Sequence, residues 1–242
     1  SLILQNNAPN PSSKTITGTG ALTIQPASSS FSSGFSTAAW TLPATLSSLT
    51  IGKSGNTSDV TFNSAQAVAG PITAYGGNIF VNENLDTTGG GVGGHVLLKA
   101  SGLTNLSNTK SITTAGGGVT FWADSDGNGT GFVQLGRSAA VTTAGGDIRL
   151  GGGSDIATGY ARGEASLDKE TEPTYDVSIS GVHLKDGASL SSGGGDITLR
   201  GQNLGSAATT IQFGVMGHNA TLDAGIGKVA IYGLAGGSAN NN

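Results

Sequence analysis

The sequence lacks cysteine entirely and contains a single methionine. The absence of cysteine excludes disulfide bridges, thiolate metal sites and cysteine nucleophiles. No run of about 18 apolar residues is present, so no segment predicts a membrane-spanning helix. Charged residues are also scarce, at 11%. The apolar residues nevertheless persist and alternate with Thr, Ser and Asn, which argues against a disordered chain, since disorder is typical of high charge and few β-branched residues.

The small charged fraction is slightly acidic, with a formal net charge of −4. Nucleic-acid-binding proteins neutralise phosphates with clustered Lys and Arg, and no such cluster is present, so we expect no nucleic-acid partner. A chain without cysteine and rich in Gly, Ser, Thr and Asn is typical of an exported bacterial protein. We therefore expect an extracellular location, secreted or on the bacterial cell surface. The start, "SLILQNN", has neither an initiator Met nor a basic, signal-like stretch, which indicates an excised or processed piece.

What the sequence has in abundance is glycine, 42 of 242 residues, and much of it lies in a repeated phrase. Each copy contains an apolar residue, small polar residues, a glycine turn and a second apolar residue seven places after the first. Five copies are present: "ITAYGGNIFV" from Ile72, "ITTAGGGVTF" from Ile112, "VTTAGGDIRL" from Val141, "LSSGGGDITL" from Leu190 and "LDAGIGKVAI" from Leu222.

Apolar and polar residues alternate strictly around each glycine turn. In "GGDIRLG", Ile148 and Leu150 face inward and Arg149 faces outward, and the same pattern places Val229 and Ile231 inside. Alternation over three to five residues bounded by glycine is typical of short, half-buried strands. Such strands need neighbours, and the copies begin about 29 to 49 residues apart, within or near the range of solenoid repeats.

The pattern therefore predicts an all-β fold, a right-handed parallel β-helix that forms a single elongated domain. Further short strands, such as "HVLLKA" and "GFVQLG", lie between the copies, so one coil should contain three strands. The alternative is an antiparallel sandwich with hairpins. It is disfavoured because the Asn-Gly and Asp-Gly turns that hairpins prefer are scarce.

Two regions of the solenoid are expected. Residues 1–70 lack the phrase and should form irregular N-terminal coils, in which Phe31, Phe35 and Trp40 pack against the core. Residues 71–242 should form regular coils, with the charged segment 160–176 inserted as a projecting loop.

Two stretches, "GASLSSGGGDITLRG" and "SAAVTTAGGDIRLGG", resemble the repeats of filamentous-haemagglutinin-like exoproteins, large adhesins of Gram-negative bacteria that are secreted by the two-partner route. The resemblance covers about residues 70–235. It implies a β-solenoid shaft, an outer-membrane transporter as export partner, and attachment to a host-cell receptor, a glycan or another copy on a neighbouring cell. The Asn-Pro-Asn-Leu and Asn-Pro-Asn-Gly motifs of the family's secretion domain are not matched by Pro9-Asn10-Pro11, so the resemblance is to the shaft or functional-region repeats.

The segment "DSDGNG" at residues 124–129 is the sharpest local motif. Asp124, Asp126 and Asn128 occupy the first, third and fifth positions of an EF-hand-type loop, with Gly129 at the turn position. Leu135, however, stands at the twelfth position, where a bidentate Glu belongs. The motif predicts a calcium site with these three oxygen ligands, and its alternative is a solvated turn.

Binding residues are expected at two places on the outer surface. Equivalent fourth residues of the strands that end the five copies should form a column with about 4.8 Å between rungs. They are Asn82, Trp122, Gly151, Arg200 and Tyr232. Of these, Trp122, Arg200 and Tyr232 suit a sugar or a protein partner. The second place is the charged loop, through the side chains of Arg162, Glu164, Asp168, Lys169, Glu170 and Glu172.

Catalytic candidates are few. His95, His183 and His218 are far apart and lie in no recognisable nucleophile motif. A β-helix carbohydrate-active enzyme, a lyase or hydrolase, is the alternative function. It would need charged residues stacked on successive coils, yet no acidic pair accompanies Arg149 and Arg200. We expect a binding protein that needs no cofactor apart from the calcium ion considered above.

Overall fold

The computed structural model describes residues 1–8, 13–163, 178–203 and 211–235. Regular structure in these residues is almost entirely β, apart from two 3-10 segments at Thr37–Ala39 and Thr88–Gly93. No helix in the described ranges has the length and apolar character needed to cross a membrane.

Three long sheets of parallel strands contain nearly all the described strands. The first sheet contains Leu2–Gln5, Ala21–Gln25, Ser48–Ile51, Ile72–Gly76, Val96–Ala100, Val119–Ala123, Ile148–Gly152, Ala161–Arg162, Ile197–Gln202 and Val229–Leu234. The second contains Phe35–Ser36, Val60–Phe62, Ile79–Val81, Thr104–Leu106, Val133–Leu135, Ser178–Leu184 and Ile211–Gly217. The third contains Gln66–Ala67, Leu85–Asp86, Ser111–Thr113, Ala140–Thr142, Ser189–Ser191 and Thr221–Asp223, and a separate pair joins Lys14–Thr15 to Trp40–Thr41.

The chain visits the three sheets in turn and then returns to the first, one rung further along. Val96, for example, pairs with Ile72 of the preceding coil and with Val119 of the following coil. Every strand pairing in the described residues is parallel in this way, and the short contact between residues 131 and 162 is antiparallel. This arrangement confirms the predicted parallel β-helix with three strands per coil.

The core is a set of columns of inward side chains that run along the solenoid. Ile148 and Leu150 are buried and Arg149 between them is exposed, as the alternation predicts. In the N-terminal part, Phe31 and Phe35 are also buried, with ring centroids 5.7 Å apart. The expected packing role of these two aromatic residues is therefore confirmed.

One copy of the repeated phrase lies at a different corner from the other four. In the copies that begin at Ile112, Val141, Leu190 and Leu222, the glycine turn joins the third sheet to the first. In the copy from Ile72, the turn joins the first sheet to the second. The phrases look alike because each of these corners is a glycine turn between two strands with inward apolar residues.

Val229 and Ile231 are exposed, so the prediction that they lie inside the core is wrong. Both residues are in register with buried residues of the preceding coil, Ile197 and Leu199. Their relative exposures are nevertheless 45% and 53%. The strand Val229–Leu234 pairs on only one side within the described part of the chain, so no further described rung covers these side chains.

The corner between the third and first sheets explains the sequence of the repeated phrase. At three of these turns a buried Thr or Ser precedes the glycines, and its hydroxyl donates to the carbonyl of a glycine three residues later, as Thr143 does to Gly146. A Cβ added to Gly146 would lie 2.4 Å from the carbonyl oxygen of Gly117 in the preceding coil. Backbones of successive coils therefore approach too closely at this corner for any side chain. The same holds along a column of glycines, each of which faces the backbone of a glycine one coil earlier, and which consists of Gly117, Gly146, Gly195 and Gly227.

Replacing Gly146 with Ala should lower the free energy of unfolding by about 1–3 kcal/mol, the usual cost of overpacking, because backbone atoms bound the site. Gly93→Ala is the matched control, since a Cβ at Gly93 meets nothing within 4 Å. Urea denaturation of the two variants measures the difference. Equal stabilities would contradict the role given to the glycine column.

Candidate functional site

An outward column of large side chains runs along the first sheet. Strand register places Tyr75 beside Lys99 and Lys99 beside Trp122. Gly151 follows Trp122, and further along the sheet Arg200 pairs with Tyr232. We call the five side chains Tyr75, Lys99, Trp122, Arg200 and Tyr232 the outer ladder.

Cations and aromatic rings of the outer ladder stack on each other along the solenoid. The Lys99 ammonium nitrogen lies 3.7 Å from the centroid of a Trp122 ring. The Arg200 guanidinium carbon lies 3.8 Å from the centroid of the Tyr232 ring. Such contacts contribute about 0.5–1 kcal/mol each at exposed sites. They fix the direction of long side chains that would otherwise be mobile, and so they organise the outer surface.

A short loop, residues 153–160, covers the gap that Gly151 leaves in the column. The Trp122 indole N–H donates to the carbonyl of Gly153 over 2.7 Å. A Cβ at Gly151 would lie 3.3 Å from the end of the Ile156 side chain, so the loop packs closely on this rung. The ring of Tyr160 lies 5.8 Å from the Arg200 guanidinium. The loop therefore joins the Lys99–Trp122 pair to the Arg200–Tyr232 pair.

Sequence reasoning located part of this column. Trp122, Arg200 and Tyr232 do share one outer line, with Gly151 between them as expected. Asn82 does not belong to it, because it follows the strand Ile79–Val81 of the second sheet.

Tyr75 and Lys99 occupy the rungs that the sequence argument missed. The usable signal was "HVLLKA", whose alternation matches that of "GVTFWA" and aligns Lys99 with Trp122. This strand lies outside the five copies of the repeated phrase, so the phrase alone does not reveal it.

The predicted binding loop is described only at its start. Arg162 lies in a two-residue strand of the first sheet, and its backbone exchanges hydrogen bonds with Gly131. The remaining residues assigned to the loop, Glu164, Asp168, Lys169, Glu170 and Glu172, lie outside the described residues.

In the 124–129 segment, the oxygens of two predicted calcium ligands accept hydrogen bonds from within the loop. Asp126 accepts from the backbone and side-chain amides of Asn128. Asn128 in turn accepts from the backbone N–H and hydroxyl of Thr130. Leu135, at the twelfth position, is fully buried in the core and can offer no oxygen. This hydrogen-bonding pattern is that of a compact Asx-rich turn.

Asp124 differs from the other two because its side chain is fully buried. One carboxylate oxygen accepts from the Gly129 backbone N–H, and the other has no hydrogen-bond partner. Burial raises the pKa of Asp124 above its usual value, and backbone donors together with the charge of Arg162 act against that rise. A cation in this loop would be held first by the unpartnered oxygen of Asp124. Each Asp126 oxygen keeps one lone pair beside its turn hydrogen bond, whereas the Asn128 oxygen already accepts two hydrogen bonds and could bind a cation only by giving one up.

The described ranges contain few other side chains arranged as a metal-binding or catalytic site would require. No group of three or more His, Asp or Glu side chains there could hold a metal ion. His95 lies before a strand of the first sheet, whereas His183 and His218 lie at neighbouring coils of the second sheet, where the His218 backbone N–H donates to the carbonyl of Leu184. His183 has the outward register that alternation predicts, but its side chain is fully buried.

Comparison with known proteins gives no relative for this chain. No family model, no curated protein sequence and no solved structure matches it. The outer ladder and the 124–129 loop must therefore be interpreted from their own geometry.

If Asp124, Asp126 and Asn128 bind Ca²⁺, adding a chelator should lower the melting temperature of the protein. Asp126→Ala should remove that difference, because the variant lacks one ligand. Thermal melts followed by circular dichroism, with calcium and with chelator, measure the effect. Identical melts of the unsubstituted protein in both buffers would leave the segment as a turn.

With chelator present, Asp124→Asn should raise the melting temperature at pH 7, because it removes a buried charge with one unpaired oxygen. The raised pKa means that the folded state binds the proton more tightly, so the cost of this group is absent at low pH and appears as pH rises. The gain should therefore shrink towards pH 3. Asp86→Asn, at an exposed carboxylate, is the control. A gain that is independent of pH would contradict this account.

Proposed function

We propose that this chain is a rigid segment of an exported bacterial adhesin, similar to the shafts of filamentous-haemagglutinin-like exoproteins, and that it attaches to glycans on host or neighbouring cells. The β-helix is the frame, and the outer face of its first sheet is the binding surface. The outer ladder is the observation that carries the proposal. It is the line of aromatic and cationic side chains that the regular frame itself does not require.

The chemistry of the outer ladder suits carbohydrate. Aromatic rings present apolar faces on which sugar rings stack, and fixed cations bind hydroxyls or acidic groups. Tyr232 has 43% of its surface exposed, so it is open to a ligand although Arg200 lies on its ring. The column extends over several rungs at about 4.8 Å each. A surface of this length suits a polymer better than a small substrate.

Export through an outer-membrane transporter and display at the cell surface belong to the same proposal. They are supported by the resemblance of the repeats and by a composition without cysteine. A long parallel sheet with a continuous buried core also gives a stiff spacer, which is what an attachment shaft requires.

The test is binding of the purified protein to a glycan array and to whole cells. Replacing Arg200 and Tyr232 together with Ala should reduce binding at least tenfold, because one cation–aromatic pair of the ladder is lost. Thr198→Ala, on the same strand and face but in the neighbouring column, is the control and should bind normally. Melting temperatures should show that both variants fold.

Two results would overturn the proposal. Absence of binding to every glycan and cell type would remove the adhesin function. Turnover of a polysaccharide by the purified protein, lost when a carboxylate is replaced, would establish the carbohydrate-active enzyme instead.

A further inference from the structure

A cavity of about 250 Å³ opens where the first sheet turns towards the second. Four successive coils contribute to its wall, and the first of them supplies the loop 54–57. Tyr75 comes from one strand of the first sheet, Lys99 from the next, and Ser125 and Asp126 from the turn that follows the third. The cavity is slightly smaller than the 300–1,000 Å³ or so of typical drug-sized ligand sites. It therefore suits a ligand group of about the size of one sugar ring.

Lys99 gives the cavity an available cation. Its ammonium lies over the Trp122 ring, and in the described ranges it forms neither an ion pair nor a hydrogen bond. An ammonium group has three N–H donors. A half-buried lysine with unused donors at a cavity wall is suited to bind an anionic oxygen.

The other walls suit a sugar ring. Tyr75 supplies an aromatic surface, and Ser101 and Ser125 supply hydroxyls that can donate or accept. Asp126 supplies a carboxylate that accepts from ligand hydroxyls. The same carboxylate repels a ring with two or more negative charges, so phosphorylated and multiply sulfated sugars are disfavoured. A uronic acid fits both conditions because it combines one negative charge with several hydroxyl donors.

The net charge of the protein does not oppose such a ligand locally. At physiological ionic strength charges are screened over about 8 Å. The outer face of the first sheet carries Lys99, Arg149 and Arg200 within its outward columns. An acidic polymer lying along this face therefore meets cations.

We propose that this cavity binds one uronate residue of an acidic polysaccharide, with the carboxylate on Lys99, the ring against Tyr75 and hydroxyls on Asp126 and the two serines. The inference rests on the proposed glycan-binding function and names its ligand class. The rest of the polymer lies along the outer ladder.

The test is calorimetric titration of the full chain with a galacturonic acid trimer, in chelator so that no cation occupies the neighbouring loop. The methyl-esterified trimer, which keeps the rings and loses the charge, is the second probe. Lys99→Gln should weaken binding of the acidic trimer at least fivefold and should remove most of the difference in affinity between the acidic trimer and the ester. Lys110→Gln is the matched control, since Lys110 forms an ion pair with Glu83 away from the cavity. Tyr75→Ala should weaken both trimers.

The results distinguish failure of the uronate site from failure of the adhesin function. Equal affinity for the acidic and esterified trimers, or unchanged affinity in Lys99→Gln, overturns the uronate site even if the protein still attaches to cells through the ladder. Binding of the acidic trimer that depends on Lys99, without attachment to any cell, retains the site and removes the adhesin function.

Discussion

The close approach of successive backbones at one corner of the coil is the constraint on which the rest of the structure depends. Gly146 lies so near the carbonyl of Gly117 that a single added carbon would overlap it. The rungs can then stack directly, and the Thr143 hydroxyl satisfies the carbonyl that the turn leaves inside. Glycine at this corner and a small hydroxyl residue before it follow from that geometry. The inward apolar columns pack at the distance set by the hydrogen bonds between parallel strands, and the glycines allow the corner to adopt that distance.

The core and the glycine corner constrain the inward residues, but they do not constrain which residues occupy the outward positions. On the first sheet, Ile148 and Leu150 are held by the core, whereas Arg149 between them contacts solvent and an exposed aspartate. Any outward residue is therefore carried as one member of a column, with its neighbours fixed about 4.8 Å away. The outer ladder is such a column, in which cations and rings contact each other because successive coils present them in register.

The difference between local patterns and contacts between coils determines which features could be predicted from the sequence. Alternation and glycine turns are local, so the parallel solenoid, the inward Ile148 and the outward line through Trp122, Arg200 and Tyr232 were predictable. Register between coils is not local. The copy at Ile72 turns a different corner, so Asn82 was placed on the wrong sheet and Tyr75 and Lys99 were missed. The cavity beside Lys99 depends on residues of four coils meeting, and no single segment encodes it.

We therefore expect selective ligand binding by a solenoid at the positions where the structure departs from its regular repeat. Gly151 removes one side chain from the column, and the loop 153–160 packs onto that rung through Ile156 and the Trp122 indole. A uniform column would bind a polymer at any rung with equal strength. If the proposed function holds, a column that has a cavity at one end and a loop in its middle would bind a polymer in one register, because only one alignment places a charged group at Lys99 and rings along the remaining rungs. In the proposed function, specificity would thus come from the cavity and the loop, and the repeat would supply the rigid spacing between them.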